Sequence, residues 1–305
     1  MRGSRIYRGG VSDTATAAED DFDPDEPVEP KAKLGDIYQL GRHRLMCGSS
    51  TDEDNVAALM NGERAAMLFT SPPYSDMREY EGGKDLAVDN LAQFITVYRP
   101  YTDYQCVNLG IQRKGYEIIP YWDEYTKSAH KSGYKLLAWN VWDRFYAGSL
   151  GASRAFFPIE HEFIFVYGVG YYDINDTVEK KPENIKGKIV GRHRSKSGTE
   201  IEHIKDLSDP YKKMGSVIRL LYETNEGSRL HPAAFPVSLP AEYIKAMSNN
   251  NDAIIEPFGG GGSTLIACEQ LNRKCFMMEL EPKYVDVIIA RWEKLTGEKA
   301  ILMNG

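Results

Sequence analysis

Two stretches of this 305-residue chain combine residue types and spacing that can do chemistry. One is Ser71-Pro72-Pro73-Tyr74, which follows the apolar run Ala65-Ala66-Met67-Leu68-Phe69 almost directly. Two prolines hold a chain extended and remove two amide donors, so the carbonyls beside them stay available as acceptors. Such a site suits a ligand that is itself a donor, for example an amine conjugated to a flat ring. The lone pair of that amine is delocalised into the ring and is a poor nucleophile. If its two N–H groups were held by fixed oxygens, the Ser71 side chain and the Pro72 carbonyl, the nitrogen would be pushed toward tetrahedral geometry. Its lone pair would then be available, through positioning and preorganised electrostatics alone. Tyr74 adds a face on which the ring can stack.

The other stretch runs from Ala253 to Glu279. Ala253-Ile254-Ile255 is a short apolar run, and Gly259-Gly260-Gly261-Gly262 follows it. Ser263 stands where it can cap a helix, with Leu265, Cys268 and Leu271 at helical spacing. A second apolar run, Cys275-Phe276-Met277-Met278, ends in Glu279. The pattern predicts strand, tight loop, helix and strand with an acid at the second tip. Glycines let backbone amides come close to a ligand, and an acid about twenty residues on accepts hydrogen bonds from ribose hydroxyls. A nucleoside ligand is expected. Leu265 stands where a dinucleotide fingerprint needs its third glycine, and no lysine follows the loop as in a P-loop.

The elements that must position these stretches can be read in order. Residues 37–47 predict two short strands around a Gly41 turn, residues 52–61 a helix, and residues 65–69 a buried strand. Residues 75–90 are polar and suggest a mobile loop. Helices are expected over about 90–108 and 119–132, then strands at 135–142 and 161–167. Trp139, Trp142 and Phe145 read as packing for a central strand before lining for a pocket. Between 168 and 229 the periodicity weakens and lysines and arginines gather. A helix at 237–247 leads into the glycine-loop strand, and a last helix places Val285, Ile288, Trp292 and Leu295 on one face. Strands separated by helices predict an α/β class with a mostly parallel sheet covered on both faces.

The net charge of −7 does not exclude a nucleic-acid partner. Residues 1–30 hold three arginines against eight acids, so they carry −5 and leave about −2 on the rest. A near-neutral body can bear a basic face, and local charge governs phosphate binding. With so few apolar residues, residues 1–32 are expected to be an acidic, solvated, disordered tail. Cys47, Cys106, Cys268 and Cys275 lack metal-ligand spacing, and no His pair stands at ligand distance, so no metal is expected. No apolar run approaches membrane-spanning length, and the start of the chain lacks a signal-peptide core, so a cytoplasmic protein is expected.

Glu256-Pro257-Phe258-Gly259-Gly260-Gly261-Gly262-Ser263-Thr264 resembles the S-adenosylmethionine-binding motif of amino-methylating DNA methyltransferases, with Glu where that family more often has Asp. Ser71-Pro72-Pro73-Tyr74 resembles their catalytic signature. Catalytic motif first and cofactor motif last is similar to the permuted, beta-type arrangement. The resemblance covers roughly residues 34–300, and segments 35–48, 231–236 and 284–297 look like phage- and prophage-type members.

The resemblance implies a Rossmann-like, S-adenosylmethionine-dependent methyltransferase domain over 33–305. Its catalytic half would be 33–167, a target-recognition insertion 168–229, and a cofactor half 230–300. Glu256, Pro257, Phe258, Gly260, Gly262, Ser263, Thr264 and Glu279 would hold the cofactor. Ser49 would face the adenine and His231 the methionine end. Gly48-Ser49-Ser50 departs from the family's Gly-Asp, and Asp52 is a candidate substitute. Ser71, Pro72, Pro73 and Tyr74 would hold a flipped base, which a duplex otherwise hides. Arg192, Arg194 and Lys196 would meet double-stranded DNA. A homodimer, as in the family, and a role in restriction-modification are also implied. Ser71 points to N4 of cytosine, with N6 of adenine as the alternative. One rival is an enzyme acting on an amine of RNA or protein. Another is a protein that keeps the fold but only binds DNA.

Overall fold

A computed structural model of the chain describes residues 16–22, 29–73, 91–114, 116–144, 157, 159–194, 200–220 and 235–304. The strands in chain order begin with β1 (Ile37–Leu40), β2 (His43–Cys47), β3 (Met67–Thr70) and β4 (Tyr104–Leu109). A small hairpin, β5 (Gln112–Lys114) and β6 (Glu117–Ile119), precedes β7 (Lys135–Asp143) and β8 (His161–Gly168). Next come β9 (Asp176–Glu179), β10 (Lys186–Arg194), β11 (Glu200–Leu207), β12 (Tyr211–Lys213) and β13 (Val217–Arg219). The last are β14 (Ala253–Glu256), β15 (Lys274–Glu279) and β16 (Ile301–Leu302).

Ten of these form one sheet in the order β13-β7-β8-β4-β3-β14-β15-β2-β1-β16. Its centre, β4-β3-β14-β15-β2, is parallel throughout. Antiparallel β8 joins β4 to β7 on one side, and antiparallel β1 and β16 close the other. This is the expected Rossmann-like α/β class, with mixed margins.

Side chains alternate along the central strands, and each set finds its own layer of helices. Leu68, Val107, Ile255, Phe276 and Met278 pack with α1 (Glu53–Met60), α2 (Phe94–Val97) and α3 (Trp122–Lys131). Met67, Phe69, Cys106, Ile254, Cys275 and Met277 pack with α4 (Ser238–Met247), α5 (Ser263–Gln270) and α6 (Pro282–Thr296). All four cysteines are buried thiols. Among the described residues no helix is long and apolar enough to cross a membrane.

Several expectations change. The helix expected over 90–108 shrinks to Phe94–Val97, and Tyr104–Leu109 is a strand in the middle of the sheet. Flanked by β3 and β8 and buried on both faces, β4 shows no alternation to read, and its polar Gln105 and Asn108 mimic a helix's wet side. Leu295 lies off the packed face of α6, at 39% exposure. The weakly patterned stretch after β8 folds into two ribbons, β10 with β11 and β12 with β9, before the chain returns to the sheet as β13. The expected mobile loop at 75–90 lies outside the described residues.

The N-terminal segment is not wholly solvated. Phe22 is buried, Ala18 exchanges hydrogen bonds with the Gln270 side chain, and Asp20 pairs with Arg291 at 2.7 Å. Lys31 and Ala32 donate backbone amides to Asp286. The few apolar residues suffice because α6 offers basic partners, Arg291 for Asp20 and Lys294 over the Phe22 ring. Burying one Phe is worth about 1.5–3 kcal/mol. Deleting residues 1–22 should therefore lower the melting temperature by several degrees in differential scanning calorimetry; an unchanged transition would show that the segment contributes nothing to the fold.

Candidate active site

Both chemistry-bearing stretches begin at the C-terminal ends of neighbouring parallel strands, β3 and β14. From β3 the chain continues to β4 on one side, and from β14 to β15 on the other. The order reverses between them, and at such a switch point the loops diverge and leave a crevice for ligands.

Glu256, the last residue of β14, ties the two stretches together. One carboxylate oxygen accepts from the Thr70 hydroxyl at the end of β3 and, at 3.0 Å, from the Phe258 amide. The other accepts from the Thr264 hydroxyl at 2.7 Å. Glu256 is fully buried, and burial pushes its carboxyl up to about 8 against the opposing hydrogen bonds. The residue expected at the cofactor thus spends its oxygens inside the protein, locking strand, loop and helix. Thr264 joins the same lock.

The loop itself depends on glycine. A Cβ at Gly259 would lie 2.9 Å from Met277 Sδ, and Gly260 and Gly262 have φ of 51° and 82°. Gly262, not Ser263, is the cap position of α5; Ser263 is the first helical residue, and its hydroxyl donates to the Phe235 carbonyl. Glu279 at the tip of β15 accepts from the Gly260 amide at 2.7 Å and from the Glu281 amide at 2.9 Å. Burial raises its carboxyl to about 7. Phe258 packs edge-on against Phe94, with ring centroids 5.3 Å apart. The Ser50 hydroxyl donates to the Pro257 carbonyl, and Gly48 N–H donates to the Glu279 carbonyl at 2.9 Å. The Ser49-Ser50 turn therefore borders the loop, and Ser49 bonds Thr51 at 3.0 Å. Asp52 caps α1 through the Asp54 and Asn55 amides, so its carboxylate already has a task.

Beside it, Ser71 is half-buried and Pro72 buried, with Pro73 half-buried. Asn108, near the end of β4, donates one N–H to Ser71 Oγ at 3.3 Å and the other to Glu162 at 2.7 Å. Glu162 in turn takes Arg144 at 2.9 Å. Thr70, Asn108 and Arg144 are not singled out by the sequence. Thr70 abuts the motif and was within reach, whereas Asn108 was hidden by the mistaken helix. Trp142 is buried, while Trp139 is half-exposed among Trp122, Phe163 and Phe165.

Tyr74, Phe145, Lys196 and His231 lie outside the described residues. Arg192 and Arg194 sit on β10, away from the central strands, and the ribbon's register sets Arg192 opposite Glu202 and Arg194 opposite Glu200. The Arg192 side chain is exposed.

The two raised carboxyls fix a pH dependence. An acid with a raised folded-state value stabilises the fold below its unfolded value and loses that contribution as pH rises through the folded one. Stability should therefore fall from pH 4.5 to about 8 for Glu256, and from 4.5 to about 7 for Glu279. Glu256→Gln should flatten much of that slope, measured as melting temperature against pH for both proteins. Parallel curves would mean that Glu256 does not titrate in this window.

This geometry agrees with what the chain is similar to. The N6/N4 methyltransferase family, described as DNA methylase, matches residues 65–291, which span both motifs. The Type II methyltransferase M.ScaI of Streptomyces caespitosus is 26% identical over 250 residues, covering 74% of each chain. The orphan methyltransferase M.BamHII of Bacillus amyloliquefaciens is 26% identical, covering 72% of this chain and 86% of its own. Among solved structures, the PvuII DNA methyltransferase, titled cytosine-N4-specific, superposes with a TM-score of 0.58 at 16% identity, over 87% of this chain and 94% of that one. M1.HpyAVI in complex with SAM gives 0.54 at 16% identity, over 81% and 97%. With a family match running from the strand before Ser71 through most of the last helix, the chain belongs to the N6/N4 DNA methylases, S-adenosylmethionine-dependent enzymes that methylate an exocyclic amine of DNA.

Proposed function

We propose that this enzyme methylates N4 of cytosine at a specific site in double-stranded DNA, with the base flipped against Ser71–Tyr74. The observation that carries the reading is Ser71 itself, directly after β3 and next to the Glu256-locked loop, where Asn108 of β4 donates to its hydroxyl. Ser in this position resembles the N4-cytosine enzymes, whereas Asp or Asn is commoner in those acting on adenine. A short neutral side chain leaves a less polar pocket of different shape around a single-ring base. The fold neighbour titled cytosine-N4-specific supports the same choice.

The residues at the loop fit S-adenosylmethionine. Glycines bare the backbone, and Glu279 stands at the next strand's tip, where its carboxylate accepts from the Gly260, Glu281 and Leu280 amides and still has acceptor capacity to spare. When bound, the cofactor supplies a methyl group made electrophilic by a sulfonium sulfur. Glu279 accepts from the ribose, and Pro257, Phe258, Gly260, Gly262 and Ser49 line the nucleoside. His231 serves the methionine end. Ser71 Oγ and the Pro72 carbonyl accept the two N–H groups of the base, turning the nitrogen lone pair toward the methyl group. As the new N–CH3 bond formed, the S–CH3 bond would break with its electron pair kept by sulfur, and one of those N–H protons would pass to water. Asn108, oriented by Glu162 and Arg144, keeps the Ser71 hydroxyl in place. The β10–β11 ribbon, which carries Arg192 and Arg194, is together with Lys196 the part that meets DNA, since a two-stranded ribbon fits a major groove. Pairing with a second copy rests on the family resemblance alone.

Two measurements test this reading. Glu279→Ala should weaken cofactor binding by about 1.5–3 kcal/mol, the range for hydrogen bonds to a charged group. Unchanged affinity by calorimetry would remove Glu279 from the site. Duplex DNA methylated by the purified enzyme, digested to nucleosides and analysed by mass spectrometry, should contain N4-methylcytosine. N6-methyladenine would sink the cytosine assignment, and methyl transfer to neither base would favour a protein that only binds DNA.

A further inference from the structure

Glu19-Asp20-Asp21-Phe22 looks like part of a solvated acidic tail, yet its residues have unlike fates. Asp21 exposes 95% of its side chain, while Asp20 exposes 10% and Phe22 is buried. Each inward residue reaches an element that frames the glycine loop. Gln270, at the end of α5, takes the Ala18 amide at 2.8 Å and returns a bond to the Ala18 carbonyl at 3.1 Å. The Glu19 carboxylate accepts from the Val237 amide at the start of α4, a helix whose own cap residue supplies no side-chain bond. Lys294 of α6 lies over the Phe22 ring at 5.7 Å and donates to the Asp21 carbonyl at 2.9 Å.

Asp20 makes the contact that reaches the loop. Its carboxylate meets Arg291 Nε at 2.7 Å, and Arg291 Nη1 donates to the Gly261 carbonyl at 2.6 Å. Gly261 sits between Gly260, which Glu279 holds, and Gly262, which opens α5. The Arg291 side chain is 11% exposed, so its charge needs a partner. With Asp20 in place, the guanidinium is fixed at both ends. Without it, only the Coulombic attraction of Glu19 remains, and a hardly hydrated cation has a reason to swing to water and release Gly261.

We infer that residues 16–22 are a strap that positions the cofactor loop through Asp20 and Arg291, so that this acidic segment sets the affinity for S-adenosylmethionine. The inference rests on the reading of Gly259–Gly262 as the cofactor loop. A loop held in its binding conformation spares the ligand the cost of ordering it. Coupling is reciprocal, so a bound cofactor must also tighten the strap. Asp20 and Arg291 are positioning residues and need not touch the ligand.

The test compares Asp20→Asn with Asp21→Asn, the same charge change one residue along on an exposed side chain. Asp20→Asn should raise the dissociation constant for S-adenosylmethionine by about fivefold or more, the lower range of coupling between sites. At saturating cofactor, kcat should stay near the parent value, and Asp21→Asn should bind like the parent. In the unaltered protein, S-adenosylhomocysteine should slow amide exchange across residues 16–22. That measurement decides the matter if Asp20→Asn folds poorly. Parent-like affinity in Asp20→Asn, an equal loss in both variants, or strap exchange indifferent to the ligand would each overturn the inference. If Glu279→Ala also leaves affinity untouched, the loop assignment itself has failed. A loss there with none at Asp20 refutes the strap alone.

Discussion

A carboxyl group with no access to water lies where the two chemistry-bearing stretches of this enzyme meet. Glu256 receives hydroxyls from the end of one parallel strand and from the first turn of the helix after its own. Hydrogen-bond gains of this kind stand only while every partner is in place, because a buried acid left with a missing donor costs more than it returns. The arrangement is therefore close to all-or-none. Thr70 cannot shift without moving Glu256, and Glu256 cannot shift without moving the loop amide at Phe258. Since Ser71 follows Thr70 directly, the spacing between Ser71 and the glycine loop is fixed by one side chain. For methyl transfer, in which the reacting atoms must meet in line, such rigidity has evident value.

A second set of polar contacts works at longer range. Asn108, Glu162 and Arg144 run outward from Ser71, and each is placed by a different segment at the β4 side of the crevice. On the β15 side, Glu279, Gly48 and Ser50 perform the matching task for the loop. The switch point is thus supported symmetrically, by a polar chain on either flank of the Glu256 lock.

Much of this was legible in the chain, and the failures have physical causes. The glycine loop and the proline pair announce themselves because glycine and proline constrain the backbone whatever their surroundings. Strand β4 did not, since a strand with neighbours on both edges and helices on both faces has no wet side to set its period. The motif's resemblance puts Glu256 at the cofactor, while the hydroxyls that its oxygens accept here, from Thr70 and Thr264, meet only once β3 pairs with β14. Residues 16–22 look like tail in composition. Their order depends on Arg291, Gln270 and Val237, more than two hundred residues away in sequence, which no local window connects.

The ribbons between β8 and β13 have a further consequence. The chain leaves the sheet at Gly168 and rejoins it at Val217, and β7 is paired with both strands. Its departure and return thus lie at one margin of the sheet, and Asn175 and Tyr172 pin the outgoing segment to the end of α4. An insertion anchored in this way is modular. It can lengthen, shorten or be exchanged for another without disturbing the order of the central strands, because the closure of a longer loop costs little once both ends are held. Evolution can then exchange this module for another while leaving the strands beneath the switch point untouched.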